Sequence, residues 1–252
     1  MKKSVLKCEH LCKTYYSDEV EFNALKNVSL EINEGEFVAI MGQSGSGKST
    51  LLYTLSGMDS ITSGEVFVNG RQINEAKPKE MTKIRRENIG FVFQGINLVS
   101  NLSLFENIVV PGYLTKVSRK EIDSRAKKLF TKMDLDQQVN KLPSQVSGGQ
   151  KQRAAIARSL INQPNILFAD EPTGALNSSS GKAVLELMSE FNKEGQTIVM
   201  VTHDIKSASY ANRVIFLHDG RIDGELNLEK SKMTNKTKEE KKIFKYHSMK
   251  GR

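Results

Sequence analysis

One eight-residue run and its flanks limit what this chain can fold into more than any other feature. Gly42-Gln-Ser-Gly-Ser-Gly-Lys48-Ser49 satisfies the pattern G-x-x-x-x-G-K-[ST]. Before it stands Glu36-Phe-Val-Ala-Ile-Met41, a nearly all-apolar run of the kind that forms a strand buried on both faces. After it, Lys48-Ser-Thr-Leu-Leu-Tyr-Thr-Leu begins a helix. Buried strand, glycine-rich loop and helix, in that order, is the context in which the pattern carries its chemistry. The glycines let the backbone curl until successive N–H groups point at phosphates, and the helix adds the positive end of its dipole. Lys48 is expected to neutralise β- and γ-phosphate charge, and the Ser49 hydroxyl to ligate Mg²⁺. Nucleotide binding is accordingly assigned to Gly42, Gln43, Ser44, Gly45, Ser46, Gly47, Lys48, Ser49 and Thr50.

Such a loop needs a carboxylate for the metal and a group to orient the attacking water. Ile166-Leu-Phe-Ala-Asp170-Glu171 supplies both, because an apolar strand ending in two acids places them at the carboxyl edge of the sheet, where ligands bind in open α/β folds. Asp170 is expected to hold Mg²⁺, mostly through water, and Glu171 to serve as general base or water-positioner. Pro172 and Gly174 make a turn there instead of a helix start. Gln94 and His203 also follow apolar strands, Ile89 to Phe93 and Thr197 to Thr202. Beside a complete phosphate loop, Gln94 could reach the metal and water, and His203 the γ-phosphate. A second anion-binding helix end is formed by Val146-Ser147-Gly148-Gly149-Gln150, which opens a basic helix carrying Lys151, Arg153 and Arg158. One site does not obviously need two such ends.

Ser4 to Leu11 and Ala24 to Ile32 read as two antiparallel strands with a polar link. Gly64 to Gly70 reads as a further strand. Residues about 96–160 change character to helix, with apolar residues at helical spacing from Arg119 to Met133. The remainder alternates: helix Gln150 to Asn162, strand Ile166 to Ala169, helix Ser180 to Lys193, strand Thr197 to Val201, a helix, and a hairpin over Arg213 to Leu226. Alternation of this kind implies a mainly parallel sheet covered on both sides. The expected class is α/β: a P-loop NTPase core with a mainly parallel sheet, an N-terminal antiparallel β subdomain and an α-helical subdomain. The ATPase domain is placed at 1–228, with a basic tail at 229–252.

The 252 residues suffice for a substantial core, and no run approaches the roughly 18 apolar residues that span a bilayer. The first ten residues have no apolar h-region, so a cytoplasmic location is expected. Cys8 and Cys12 are spaced for neither a redox pair nor a zinc site and read as reduced thiols. The net charge of +8 is concentrated over residues 230–252, which read as a mobile tail or frayed helix, either solvated or in contact with anionic lipid headgroups.

With these motifs in order, residues 4–226 resemble the ATP-binding subunits of ABC transporters. The resemblance implies ATP and Mg²⁺ as ligands and ATP hydrolysis as the activity. It explains the second anion site by a head-to-tail homodimer, in which Ser147, Gly148, Gly149 and Gln150 of one subunit close over ATP held by the phosphate loop of the other. It places the adenine on an aromatic near the N-terminus, where Tyr15 fits better than Tyr16 by its distance to Ala24-Leu-Lys-Asn-Val. Within the family, Gly90-Phe-Val-Phe-Gln with Asn97-Leu, Glu106-Asn-Ile and Asp170-Glu-Pro-Thr-Gly-Ala-Leu look most like the lipoprotein-releasing, macrolide-exporting and peptide-antibiotic-resistance group. Such subunits sit on the cytoplasmic face of the cell membrane, bound to a permease with a large extracytoplasmic domain. A groove near Ile96 to Leu114 should receive a short permease helix. The bacitracin-type branch is the expected one, with a sensor kinase as a further partner and no nucleic acid. The alternatives are a lipoprotein-releasing or a cell-wall-hydrolase-regulating complex. A soluble DNA-repair ATPase would carry a long coiled coil or zinc insertion between Gln94 and Ser147, where this chain has only about fifty residues. Two positions depart from the family's usual pattern: Val146 stands for Leu, and Asn177 for an aspartate that normally communicates across the dimer.

Overall fold

The computed structural model of the protein describes residues 3–17, 20–228 and 236–250. Strands β1 (Ser4–Ser17) and β2 (Val20–Asn33) form a long antiparallel hairpin, followed by β3 (Phe37–Met41) and α1 (Lys48–Leu55). Next come β4 (Ser63–Val68), β5 (Arg71–Gln72), α2 (Pro78–Asn88) and β6 (Ile89–Val92). A helical lobe contains α3 (Leu104–Tyr113), α4 (Arg119–Lys132) and α5 (Gly148–Leu160). The chain then alternates through β7 (Ile166–Asp170), α6 (Ser178–Lys193), β8 (Thr197–Thr202), α7 (Ile205–Ala208), β9 (Arg213–His218) and β10 (Arg221–Asn227), and ends in α8 (Lys236–Lys250).

Two sheets result. The smaller, in the order β2-β1-β4-β5, is antiparallel; the larger runs β10-β9-β3-β8-β7-β6 and is parallel except at the β9–β10 edge. Burial on both faces is written into β3 with period two. Phe37, Ala39 and Met41 join a core shared with the helical lobe and α6, whereas Val38 and Ile40 join one shared with the hairpin and α1. Leu51, Leu52 and Leu55 of α1 are fully buried in that second core. Each such side chain contributes about 1.5–3 kcal/mol on burial, so the helix behind the phosphate loop is held by packing instead of by its own short length.

The elements lie close to their sequence-based positions, with three differences. The hairpin is longer than expected, because pairing continues through Tyr15–Phe22 to Ser17–Val20. Helix α2 was not foreseen: only Ile84 is buried on it, so it has no apolar stripe, and its start is marked by Pro78 in the first turn. The C-terminal segment is the third. The expected mobile tail or frayed helix, solvated or on lipid, is over 236–250 a helix docked on the core, and its remaining residues lie outside the described ones: Ile243 is fully buried, and the Tyr246 ring lies 4.6 Å from that of Phe216. Isolated Ile243 and Tyr246 among lysines give no periodicity strong enough to read, but they suffice once β9 and α7 offer a surface.

Candidate functional site

The loop after β3 is curled by glycine at two positions that admit nothing larger. A Cβ on Gly42 would lie 2.2 Å from the Leu217 carbonyl oxygen. Gly47, at φ 98°, is in the left-handed region, and a Cβ there would lie 2.6 Å from the Ala24 carbonyl oxygen. The loop thus turns with its back against β2 and β9 and its inner face toward a cavity of about 620 Å³. Ser44, Gly45, Gly47, Lys48, Ser49 and Thr50 line that cavity, together with Gln94, Glu171 and His203. Four segments far apart in sequence are therefore brought to the carboxyl edge of one parallel sheet. Gln43 and Ser46 shape the loop itself: the Ser46 N–H donates to the Gln43 carbonyl at 3.2 Å, and Lys48 Nζ donates to the same carbonyl at 2.7 Å. Burial lowers the Lys48 pKa, against the opposing pull of Glu171 and Asp170. An ammonium held by one carbonyl beside two carboxylates is ready to exchange that partner for phosphate oxygens.

Asp170 ends β7 almost fully buried, with both carboxylate oxygens engaged. Oδ1 accepts from Ser49 Oγ at 3.1 Å and Oδ2 from the Tyr53 hydroxyl at 2.8 Å. Burial and this carboxylate push the Tyr53 phenol up to about 12, so it stays a donor. The hydroxyl and carboxylate are hard oxygen ligands of the sort Mg²⁺ requires, and the curled loop presents N–H groups to phosphate beside them. The residues present fit Mg²⁺ and a triphosphate.

Glu171 follows at φ 41°, a left-handed conformation that costs a non-glycine residue about 1–3 kcal/mol. Its N–H donates to the Val201 carbonyl at 3.1 Å, and its own carbonyl accepts from Gly174 N–H at 3.0 Å, so the strain is held in place. The strained turn aims the carboxylate into the cavity, where Oε1 lies 2.9 Å from His203 Nδ1. A carboxylate only accepts, so Nδ1 carries the proton and Nε2 is left for a substrate. Asp204 caps α7 directly behind, accepting from the Ser207 N–H and hydroxyl, and Ser207 Oγ lies 3.3 Å from Thr173 Oγ1. The loop after Glu171 and the loop after His203 are thereby linked.

Two sequence-derived candidates lie elsewhere. Tyr15 is not among the cavity-lining residues; its hydroxyl donates to Asp59 Oδ2 at 2.7 Å, and the phenyl ring in the cavity wall is Phe22. Phe22 is the cross-strand partner of Tyr15, so both rings stand on one face of the hairpin tip. Sequence reasoning missed Phe22, Ala24 and Tyr53; the first two become visible only through the register of β1 on β2. Ser147, Gly148, Gly149 and Gln150 are also absent from the cavity. They open α5 as a capping box, with the Gln150 N–H donating to Ser147 Oγ at 3.3 Å and the Ser147 N–H to Gln150 Oε1 at 2.9 Å. Asn177 caps α6, its Oδ1 accepting from the Ser180 N–H and Ser179 hydroxyl, both at 2.9 Å.

A glycine-curled loop at a helix start, a Ser–Asp pair for a hard cation and a Glu–His pair across the same cavity define a Mg²⁺-dependent phosphate-loop nucleoside triphosphatase. The particular family follows from comparison with known proteins. The family model described as ABC transporter matches residues 25–174. MJ0796, an uncharacterized ABC transporter ATP-binding protein of Methanocaldococcus jannaschii, is 45% identical over 89% of this chain and 97% of its own length. The bacitracin export ATP-binding protein BceA of Halalkalibacterium halodurans is 42% identical, covering 89% of each chain. The macrolide export protein MacB of Neisseria meningitidis is 43% identical over 87% of this chain, which spans 34% of that longer ATP-binding/permease protein. A dimeric post-hydrolysis structure of MJ0796 with ADP and phosphate superposes with a TM-score of 0.82 at 44% identity, over 89% of this chain and 99% of that one. The chain belongs to the ABC transporter family, as an ATP-binding subunit that hydrolyses ATP with Mg²⁺.

Proposed function

We propose that two copies of this chain pair head to tail, and that closure of the pair on ATP drives a membrane permease. The carrying observation is the separation within one chain of its two phosphate-binding ends: the curled loop lines the cavity, whereas exposed Ser147 and Gly148 present the start of α5 away from it. A second copy supplies the missing wall. In the closed pair Lys48 and the loop N–H groups hold the phosphates, Ser49, Asp170 and Gln94 hold Mg²⁺, and the adenine stacks at the hairpin tip on Tyr15. Glu171 takes a proton from the attacking water as it adds to the γ-phosphorus and the bond from that phosphorus to the β–γ bridging oxygen breaks, and His203 orients Glu171 through its Nδ1–H. ADP and phosphate leave. The test is Glu171→Gln in the full chain with Mg²⁺ and ATP. General base catalysis is worth about 10²–10⁴, so phosphate release should fall at least roughly 100-fold while light scattering shows a stable dimer. A variant that stays monomeric with ATP, or hydrolyses at the wild-type rate, overturns the reading.

The permease side is supported by a groove of about 570 Å³ whose lining includes Phe91, Phe93 and Leu114. Arg86 and Arg158 bound it, donating to the Leu114 and Asn97 carbonyls at 2.6 and 2.7 Å. No described helix is long and apolar enough to cross a membrane. Similarity to BceA favours a bacitracin-type peptide as the exported or removed molecule. Deleting the coding sequence should lower tolerance to bacitracin and leave macrolide tolerance unchanged; the reverse result assigns the chain to a MacB-like exporter.

A further inference from the structure

Lys13 is a buried lysine in a β-hairpin, with 6% of its surface exposed. An ammonium in that position is tolerated only with a partner charge and full hydrogen bonding. Asp59 Oδ1 accepts from Lys13 Nζ at 2.9 Å, and Ser60 completes the shell with its carbonyl at 2.7 Å and its hydroxyl at 3.4 Å. The other carboxylate oxygen is the one that accepts from the Tyr15 hydroxyl. Lys13 and Tyr15 are two apart on β1 and share a face, and the ammonium stands 4.7 Å from the Tyr15 ring centroid. Thr50, a cavity-lining residue, lies against the same hydroxyl. Hydrogen bonds from Lys13 and Tyr15 outweigh the burial that would otherwise raise the Asp59 pKa, and hold it below the usual carboxylate range.

Asp59 is not part of the hairpin. It lies just beyond the far end of α1, its N–H donating to the Tyr53 carbonyl at 3.1 Å, and the neighbouring Thr62 hydroxyl accepts from the Thr14 N–H at 2.9 Å. Tyr53 in turn holds Asp170 through its hydroxyl. One carboxylate thus ties the tip of the hairpin to the helix that begins with Lys48.

We propose that Asp59, backed by Lys13, is a positioning residue for the nucleotide: it fixes the Tyr15 ring relative to α1 and so sets the span between base platform and phosphate loop. This rests on the reading of Tyr15 as the adenine platform. A ring already tethered does not have to be ordered when ATP binds, which saves the ordering cost of one immobilised side chain, equivalent to roughly 2- to 10-fold in affinity.

The experiment compares binding of Mg-ATP and of magnesium tripolyphosphate, by calorimetry, to the full chain and to Tyr15→Phe, Asp59→Asn, the double variant and Tyr15→Ala. Three donors face Asp59, Lys13 Nζ and the Ser60 N–H at Oδ1 and the Tyr15 hydroxyl at Oδ2, and an amide offers one acceptor oxygen. In Asp59→Asn the buried Lys13 and the Ser60 N–H keep that oxygen, and Tyr15 loses its charged acceptor. Tyr15→Phe and Asp59→Asn should each weaken Mg-ATP roughly 2- to 10-fold, the pair no more than the larger single change, with tripolyphosphate affinity unchanged. Wild-type affinity in Tyr15→Phe, with weakening in Tyr15→Ala, keeps the platform and overturns the tether. Wild-type affinity in Tyr15→Ala removes the platform itself. Equal losses for Mg-ATP and tripolyphosphate in Asp59→Asn would reduce Asp59 to a support of the fold and overturn the proposal.

Discussion

Ile243 and Phe244 are neighbours on α8 with opposite surroundings, and truncating each to alanine separates a docked helix from a solvated tail. Ile243 is fully buried in the core that holds Ala208, Ala211, Val214, Phe216 and Leu228, whereas Phe244 is 62% exposed. Removing the outer carbons of a buried isoleucine costs about 2–5 kcal/mol, and an exposed substitution stays within about 0.5 kcal/mol. In a chain of this size each kcal/mol moves the thermal midpoint by about 2–4 °C, so Ile243→Ala should melt at least roughly 4 °C lower and Phe244→Ala within about 2 °C of wild type. The loss has a ceiling. Once it exceeds the docking free energy, α8 detaches and further damage is not felt, so a chain ending at Leu228 should melt no higher than Ile243→Ala. Differential scanning calorimetry reads all three. If Phe244→Ala melts as low as Ile243→Ala, or both match wild type, α8 is not docked and the packing argument fails.

Two further substitutions test the site. Gly45 and Gly47 both have positive φ, but a Cβ on Gly45 meets nothing within 4 Å, whereas one on Gly47 runs into the Ala24 carbonyl. Gly45→Ala bears only backbone strain, about 1–3 kcal/mol, so Gly47→Ala should weaken Mg-ATP binding further, by at least about tenfold beyond it, as read by calorimetry; equal losses would refute the steric argument. Asn177→Asp keeps the α6 cap and adds a negative charge at a helix start, worth about 0.3–1 kcal/mol, so the midpoint should hold or rise by a few degrees. With the fold intact, a changed Hill coefficient for ATP would report the contact between subunits, and a fall in the midpoint would show that Asn177 does more than cap.

Much of the site was legible because its chemistry is local in sequence even where it is distant in space. The run from Gly42 to Ser49 states its own backbone conformation, and Asp170, Glu171, Gln94 and His203 each sit at the end of an apolar strand. Parallel strands end on the same edge, so the strand pattern alone was enough to bring Gln94, Glu171 and His203 to one cavity. The illegible residues depend on register and docking. Phe22 enters the cavity wall because it pairs with Tyr15, a fact set by where the β1–β2 ladder shifts. Ile243 becomes core because α7 and β9 are already in place.

Asp170 shows why the partners of a site residue are harder to read than the residue itself. Its position follows from five apolar or acidic letters, but its orientation follows from Tyr53, which points back from α1 and is stacked at 5.6 Å on Phe91 of β6. Three separate segments therefore fix one carboxylate. Through Tyr53 and Asp59 the same helix also reaches Tyr15, so the proposed metal ligand and the proposed base platform are both tied to α1. On the proposed roles, a helix held this way would carry the phosphates, the metal and the base together when two subunits close on the nucleotide.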